Sequence, residues 1–276
     1  SATPLAAGVV ALVLQSNPNL GWRDVKEILL RSAAKINPTH TGWINNGAGF
    51  PVNHDYGAGL INAQAAVNMA AGWTNLGPQT THQSAQTGLT VPIPDNNTTG
   101  VTRTFSIPGT VSMRVEHVTV HVSATHGRRG DMSITLTSPS GTPSQLFVAH
   151  NRDSNLDMDW TFSSIRHWGE SAAGNWTVAV SDRALGTAGT LTGVTLTLYG
   201  ANTAPPTAPP VITNALAANG NVDAAFSYQI TATNNPQTFT ASPLPNGLSL
   251  SASGLIQGTP TEAGSFNVSL GATNTL

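Results

Sequence analysis

Over the middle of this chain, apolar residues fall on every second position, and this period most constrains the fold. Val118, Val120 and Val122 alternate with Thr119, His121 and Ser123. Successive side chains of a strand point to opposite faces, so this spacing marks strands with one buried face. Met132, Ile134 and Leu136 alternate with Ser133, Thr135 and Thr137, and the run ends in the turn Ser138-Pro139-Ser140-Gly141-Thr142. Residues 146–149, 176–180 and 191–199 read as further strands. Many short strands separated by turns predict a β-sandwich or jelly roll.

Ahead of these strands the pattern is helical. Pro4 suits a first helical turn, where its missing N–H removes no helical bond. Val9, Val10, Ala11, Leu12, Val13 and Leu14 follow, a helix apolar all round and hence expected to be buried, with a stop near Asn17-Pro18. Val25, Ile28 and Leu29 give a second, amphipathic helix its stripe, and Glu27 with Arg31 forms an i, i+4 ion pair on it. Asn62 is placed to cap a third helix that runs through Met69 with Ala63, Ala66 and Val67 inward. The stretch 77–97, rich in Gly, Pro and Asn, reads as a join. Ala204-Pro205-Pro206-Thr207-Ala208-Pro209-Pro210 reads as an extended, semi-rigid spacer.

Composition narrows the function. The chain has 276 residues, enough for two or three domains. Charged residues make up 9% and the net charge is −2, which argues against a nucleic-acid binder with its basic stripe. No apolar run reaches the length needed to span a bilayer. Abundant Thr, Ser, Asn and Gly with little Lys or Glu suits all-β extracellular material. Cys is absent, a composition that fits many exported proteins and many cytosolic ones.

Ordered motifs then carry a resemblance. The opening Ser1-Ala2-Thr3-Pro4-Leu5-Ala6-Ala7-Gly8 resembles the segment just after the nucleophilic serine of subtilisin-like proteases. Trp22-Arg23-Asp24, the turn His54-Asp55-Tyr56-Gly57-Ala58-Gly59-Leu60, the alanine-rich helix and Trp73 resemble the end of a kexin/furin-type catalytic domain. Residues 105–200 resemble the P (Homo B) domain that follows it, through Arg129-Gly130-Asp131-Met132, Asp159-Trp160-Thr161-Phe162, His167-Trp168-Gly169-Glu170 and Gly174-Asn175-Trp176. Leu244-Pro245-Asn246-Gly247-Leu248 and Gly254-Leu255-Ile256-Gln257-Gly258-Thr259-Pro260 resemble Ig-like modules of bacterial surface and secreted proteins.

The resemblance implies a mainly β chain. Its parts are a helical remnant of a subtilisin α/β domain (1–76), a jelly-roll P domain (77–201), a linker (202–210) and an Ig-like β-sandwich (211–276). It implies the C-terminal part of a secreted or cell-surface, bacterial serine endopeptidase, with a Ser-His-Asp triad acting on protein or peptide substrates. No catalytic residue is expected within the chain, because the nucleophile falls immediately before Ser1 and the His and Asp lie further upstream. Ser1 itself serves only if one residue of the motif is missing. The P domain is expected to pack on the catalytic domain. The first helices are expected to rest on a parallel sheet outside this chain, leaving Val9, Leu12 and Val13 uncovered. Calcium is expected in the parent enzyme and no cofactor in this part.

Other candidates have plainer readings. Asp153, Asp157 and Asp159, beside Asn151 and Asn155, are calcium candidates, but their spacing does not fit an EF-hand and a solvated loop is the simpler reading. Arg129-Gly130-Asp131 is the tripeptide that integrins read, here expected as a structural turn. His40, His54, His82 and His121 read as polar loop or strand residues with no Ser and carboxylate motif nearby. Trp160, Trp168 and Trp176 are expected in core or inter-domain packing, with an aromatic carbohydrate platform as the alternative. The rival to the protease reading is a non-catalytic adhesion or carbohydrate-binding β protein, which has no reason to carry a protease's terminal helices in order.

Overall fold

The computed structural model describes residues 2–202, 209–233, 236, 238–251 and 254–273. Most of the expected spacer and Ser1 lie outside the described residues. The chain divides into two compact units, 1–202 and 203–276.

The first unit begins with helices α1 (Ala2–Ser16) and α2 (Trp22–Ser32). Two short strands, β1 (Ile44–Asn45) and β2 (Pro51–Val52), precede helix α3 (Ala63–Ala71). Asn62 accepts the Ala65 N–H at 3.0 Å, so the third helix starts at its expected cap. Val13, Leu20, Val25, Ile28, Ala66 and Ala70 form a small core between the helices.

α1 departs from expectation. Only Val13 is buried, through packing against α3, while Leu5 is 76% and Leu12 49% exposed. One helical face cannot bury a helix that is apolar on every side. Val13 is therefore covered rather than bare, Val9 is half-covered, and Leu12 is open as expected.

Eight strands follow: β3 (Gln79–Ile93), β4 (Asn97–Ile107), β5 (Met113–His126), β6 (Met132–Thr137), β7 (Pro143–Phe147), β8 (Met158–Ser164), β9 (Gly174–Asp182) and β10 (Gly189–Asn202). They form two four-stranded antiparallel sheets, β3-β10-β5-β8 and β4-β9-β6-β7. The inward residues of both sheets share one core, including Phe105, Val118, Val120, Ile134, Trp176 and Leu196. Trp176 is fully buried and its indole N–H donates to the Ala172 carbonyl at 2.8 Å, which removes the cost of burying that donor.

The stretch expected as a join is largely strand β3, paired with β10 from Gln79 to Ile93. Over 79–88 its side chains are almost all polar or small, and the apolar alternation that usually marks a strand shows only at Leu89, Val91 and Ile93. As an outer strand it needs little apolar burial.

The second unit holds a three-stranded sheet of β11 (Phe226–Gln229), β13 (Leu248–Leu250) and β14 (Leu255–Gly258) in the order β11-β14-β13. β12 (Thr238–Ser242) pairs antiparallel with β15 (Ser269–Thr273). Ile230 and Ile256 are its buried apolar residues.

Candidate functional site

α1 opens at Ala2 with its first turn exposed. The free N–H groups of a helix start, with its positive dipole end, favour developing negative charge. The chain's most elaborate polar construction lies behind this helix, where the helical segment meets the sandwich.

Arg23 on α2 grips Glu116 on β5 with two bonds, Nε to Oε2 at 2.7 Å and Nη2 to Oε1 at 2.5 Å. Its Nη1 donates to the Gly77 carbonyl at 2.7 Å. Glu27, expected to pair with Arg31 along the helix, is only 1% exposed at its side chain. It accepts from Arg31 at 2.7 Å and also from Arg114 of β5. Burial by itself would raise the Glu27 carboxyl, but Arg114 and Arg31 outweigh it and hold the group below its ordinary range.

A bulge in β5 makes this possible. Tyr199 pairs with His117 and Gly200 with Val115, so Glu116 is the additional residue. The extra residue switches the inward face from even to odd positions. Met113 and Val115 therefore enter the core, while Arg114 and Glu116 turn out to meet α2.

A second contact joins the 46–50 turn to the loop after β8. Asn46 donates to the carbonyls of Arg166 and Trp168, each at 2.9 Å. Gly47 N–H donates to Glu170 Oε1 at 2.7 Å, and Thr142 donates to the same oxygen at 2.5 Å. A Cβ on Gly47 would stand 2.1 Å from Ser140 Oγ, so only glycine fits. Beneath this turn His167 is fully buried, and neither ring nitrogen has a hydrogen-bond partner. Burial, with Arg166 nearby, pushes its pKa down to about 3.

The sequence candidates scatter. Asp153 is held by Arg129 at 2.8 Å and by Asn155. Asp157 accepts the His126 N–H at 2.9 Å. Asp159 accepts from Ser123 at 2.9 Å. Each carboxylate already faces protein donors, and no group of three metal-ligating side chains forms among the described residues. The three carboxylates therefore do not converge on one point. Arg129-Gly130-Asp131 is a closed turn: Gly130 is buried and Arg129 is committed to Asp153.

Two readings need correction. Trp168 and Trp176 are buried, but Trp160 is 62% exposed and belongs to neither core nor junction. His121 does have Ser123 and Asp159 beside it, brought together by the pairing of β5 with β8. Both lie on the same ring nitrogen, Nε2, at 3.2 and 3.1 Å. Nδ1 faces the Thr161 hydroxyl at 3.1 Å, so hydroxyls flank both nitrogens. The cluster is open to solvent, with the His121 side chain 40% and that of Asp159 77% exposed, unlike the buried carboxylate that orients a catalytic histidine.

Comparison with known proteins decides the family. The Subtilase family model matches residues 1–59, the Proprotein convertase P-domain model residues 115–198, and an Ig-domain model residues 209–276. Proprotein convertase subtilisin/kexin type 5 of Rattus norvegicus is 37% identical over 216 residues, 74% of this chain and 12% of that protein. This chain carries the C-terminal region of a subtilisin/proprotein convertase protein. Furin of Bos taurus is 36% identical over 219 residues, 76% of this chain and 27% of its own length. The crystal structure of the serine protease of Aeromonas sobria superposes with a TM-score of 0.65 at 28% identity, over 72% of this chain and 44% of that one. The chain thus spans less than half of each of these relatives.

Within the subtilisin/convertase frame the junction joins its two matched parts, and α2 meets the P domain through Arg23–Glu116 and Glu27–Arg114. Sequence reasoning missed it because Glu27 already had a local partner. The one available signal was Arg114-x-Glu116, two opposite charges on the same face of a strand.

Proposed function

We propose that this chain is the C-terminal part of a secreted, bacterial subtilisin/kexin-like serine endopeptidase, with the nucleophile directly ahead of Ser1. Helices α1 to α3 (1–76) are the scaffold for that serine, the P domain (77–201) is its brace, and the Ig-like unit is a spacer or adhesive tail. The carrying observation is the two-point junction, since α1 packs through Val13 on α3, and α2 is bonded to the sandwich by buried charge pairs. A brace of this kind limits movement of the helix start, where a serine must meet its base within hydrogen-bond reach.

In the parent enzyme the serine attacks the substrate carbonyl as the histidine takes its proton, and water later releases the acyl group. Protein or peptide substrates bind through parts outside this chain, and calcium belongs to the parent. Inactivity of the 276-residue chain is part of this reading, since the resemblance places the histidine and aspartate of the triad outside it.

The coding sequence ahead of Ser1 should end in Gly-Thr-Ser. A fluorophosphonate probe should label the whole gene product at that serine and leave the 276-residue chain unlabelled. An unrelated domain directly upstream, or a label on Ser1 itself, would sink this reading.

A further inference from the structure

β7 and β8 are outer strands of their sheets, and they lie against each other along one side of the sandwich. A groove of about 330 Å³ opens there, lined by Arg129, Phe147, Asp153, Met158, Trp160 and Phe162. Phe147 and Phe162 meet with ring centres 5.9 Å apart, and Trp160 stands 62% exposed beside them. The polar wall is rigidly built. Arg129 Nε and Nη2 both reach Asp153 Oδ2 at 2.8 Å. The two loops that carry this pair are tied by Gly130 N–H to the Asp153 carbonyl at 3.1 Å and His150 N–H to the Gly130 carbonyl at 2.7 Å. A Cβ on Gly130 would stand 2.3 Å from the Asp153 carbonyl oxygen, so the turn closes only with glycine.

We propose that this groove binds a neutral saccharide, with a sugar ring stacked on Trp160 and its hydroxyls accepting from Arg129, which Asp153 holds in place. The chemistry selects that class. An exposed indole face suits the apolar C–H face of a pyranose. The adjoining wall offers the Arg129 guanidinium, whose charge Asp153 cancels and whose remaining N–H groups can donate. Asp153 itself is filled, Oδ2 by Arg129 and Oδ1 by Asn155. An anionic ligand would meet an already neutralised arginine, whereas neutral hydroxyls accept from it at no charge mismatch. The volume is that of a small-ligand site. The proposal is independent of the protease reading, since the groove lies wholly within the sandwich.

The test is native gel electrophoresis of the 276-residue chain through gels containing, in turn, mixed-linkage β-glucan, xylan, glucomannan, soluble starch or hydroxyethyl chitin. At least one should retard the chain, equally at low and high salt. Calorimetry with the matching hexasaccharide should then show about tenfold weaker binding for Trp160→Ala, about one stacking contact, and partial recovery for Trp160→Phe. Leu5→Ser, at a position 76% exposed on α1 in the helical segment, should bind as the parent chain does. Absence of retardation in every gel overturns the proposal, as does undiminished binding by Trp160→Ala. Retardation only by sulfated or uronate polymers also overturns it and makes the groove an anion site. Trp160-dependent binding of unfolded casein without saccharide binding overturns it in favour of an extended peptide.

Discussion

Arg23 on α2 and Glu116 on β5 form a two-bond ion pair across the junction of the helices with the sandwich. The Glu116 side chain is 2% exposed and that of Arg23 11%. Removing Arg23 leaves the Glu116 carboxylate buried without compensation. Arg23→Ala should therefore cost about 3–5 kcal/mol. Replacing both by apolar residues of similar size should recover most of that loss. Denaturant unfolding of the single and double variants measures both, and a loss below about 1 kcal/mol for the single change would place this pair among solvent-screened ones.

Acid should weaken the fold in two overlapping windows. His167 binds its proton only near pH 3 when folded, against an ordinary value of 6.5. Its contribution is therefore complete above pH 6.5 and lost as pH falls toward 3. Glu27, held below its ordinary value by Arg114 and Arg31, adds a further loss below about pH 4.5. Stability should fall by up to about 1.4 kcal/mol per pH unit for each proton taken up. His167→Phe should flatten the curve between pH 6.5 and 4.5 and leave the steeper part below it. An unchanged slope in that variant would assign the acid loss elsewhere.

Gly47→Ala should loosen the second contact. The added carbon collides with Ser140 and crowds the bond from Gly47 N–H to Glu170. The expected cost is about 1–3 kcal/mol. Hydrogen exchange should show faster opening of the 46–50 turn, with Val178 in β9 unaffected. Equal exchange throughout would mean that the Ser140 turn yields at no cost.

Amides of α1 should exchange well before those of β9. The helix rests on its neighbours through one buried side chain, Val13, whereas Val178 is buried within the shared core of the sandwich. Limited proteolysis should enter through α1. Equal protection of Val13 and Val178 would show that α3 alone anchors the helix.

Several elements were legible in the residues because their determinants are local. The Val118-Val120-Val122 alternation marks β5 since a strand has a period of two. Asn62 announces α3 since its side chain can reach a free N–H in the first turn. The motif order from Trp22 to Trp73 and through the sandwich pointed to the family that the comparisons then matched. Strand β3 was hidden over 79–88 because its polar or small side chains carry no apolar alternation there. Its conformation comes from the backbone bonds of β10, far along the chain. The site was less legible still. Glu27 reads locally as the partner of Arg31, and only folding brings Arg114 to it and buries the carboxylate. Trp160 was grouped with Trp168 and Trp176, yet stands exposed because β8 is an outer strand. Local pattern specifies which segments become helix or strand. Which side chains meet across the junction or open into the groove was decided only when the strands paired, because those neighbours are set by sheet order and by one bulge.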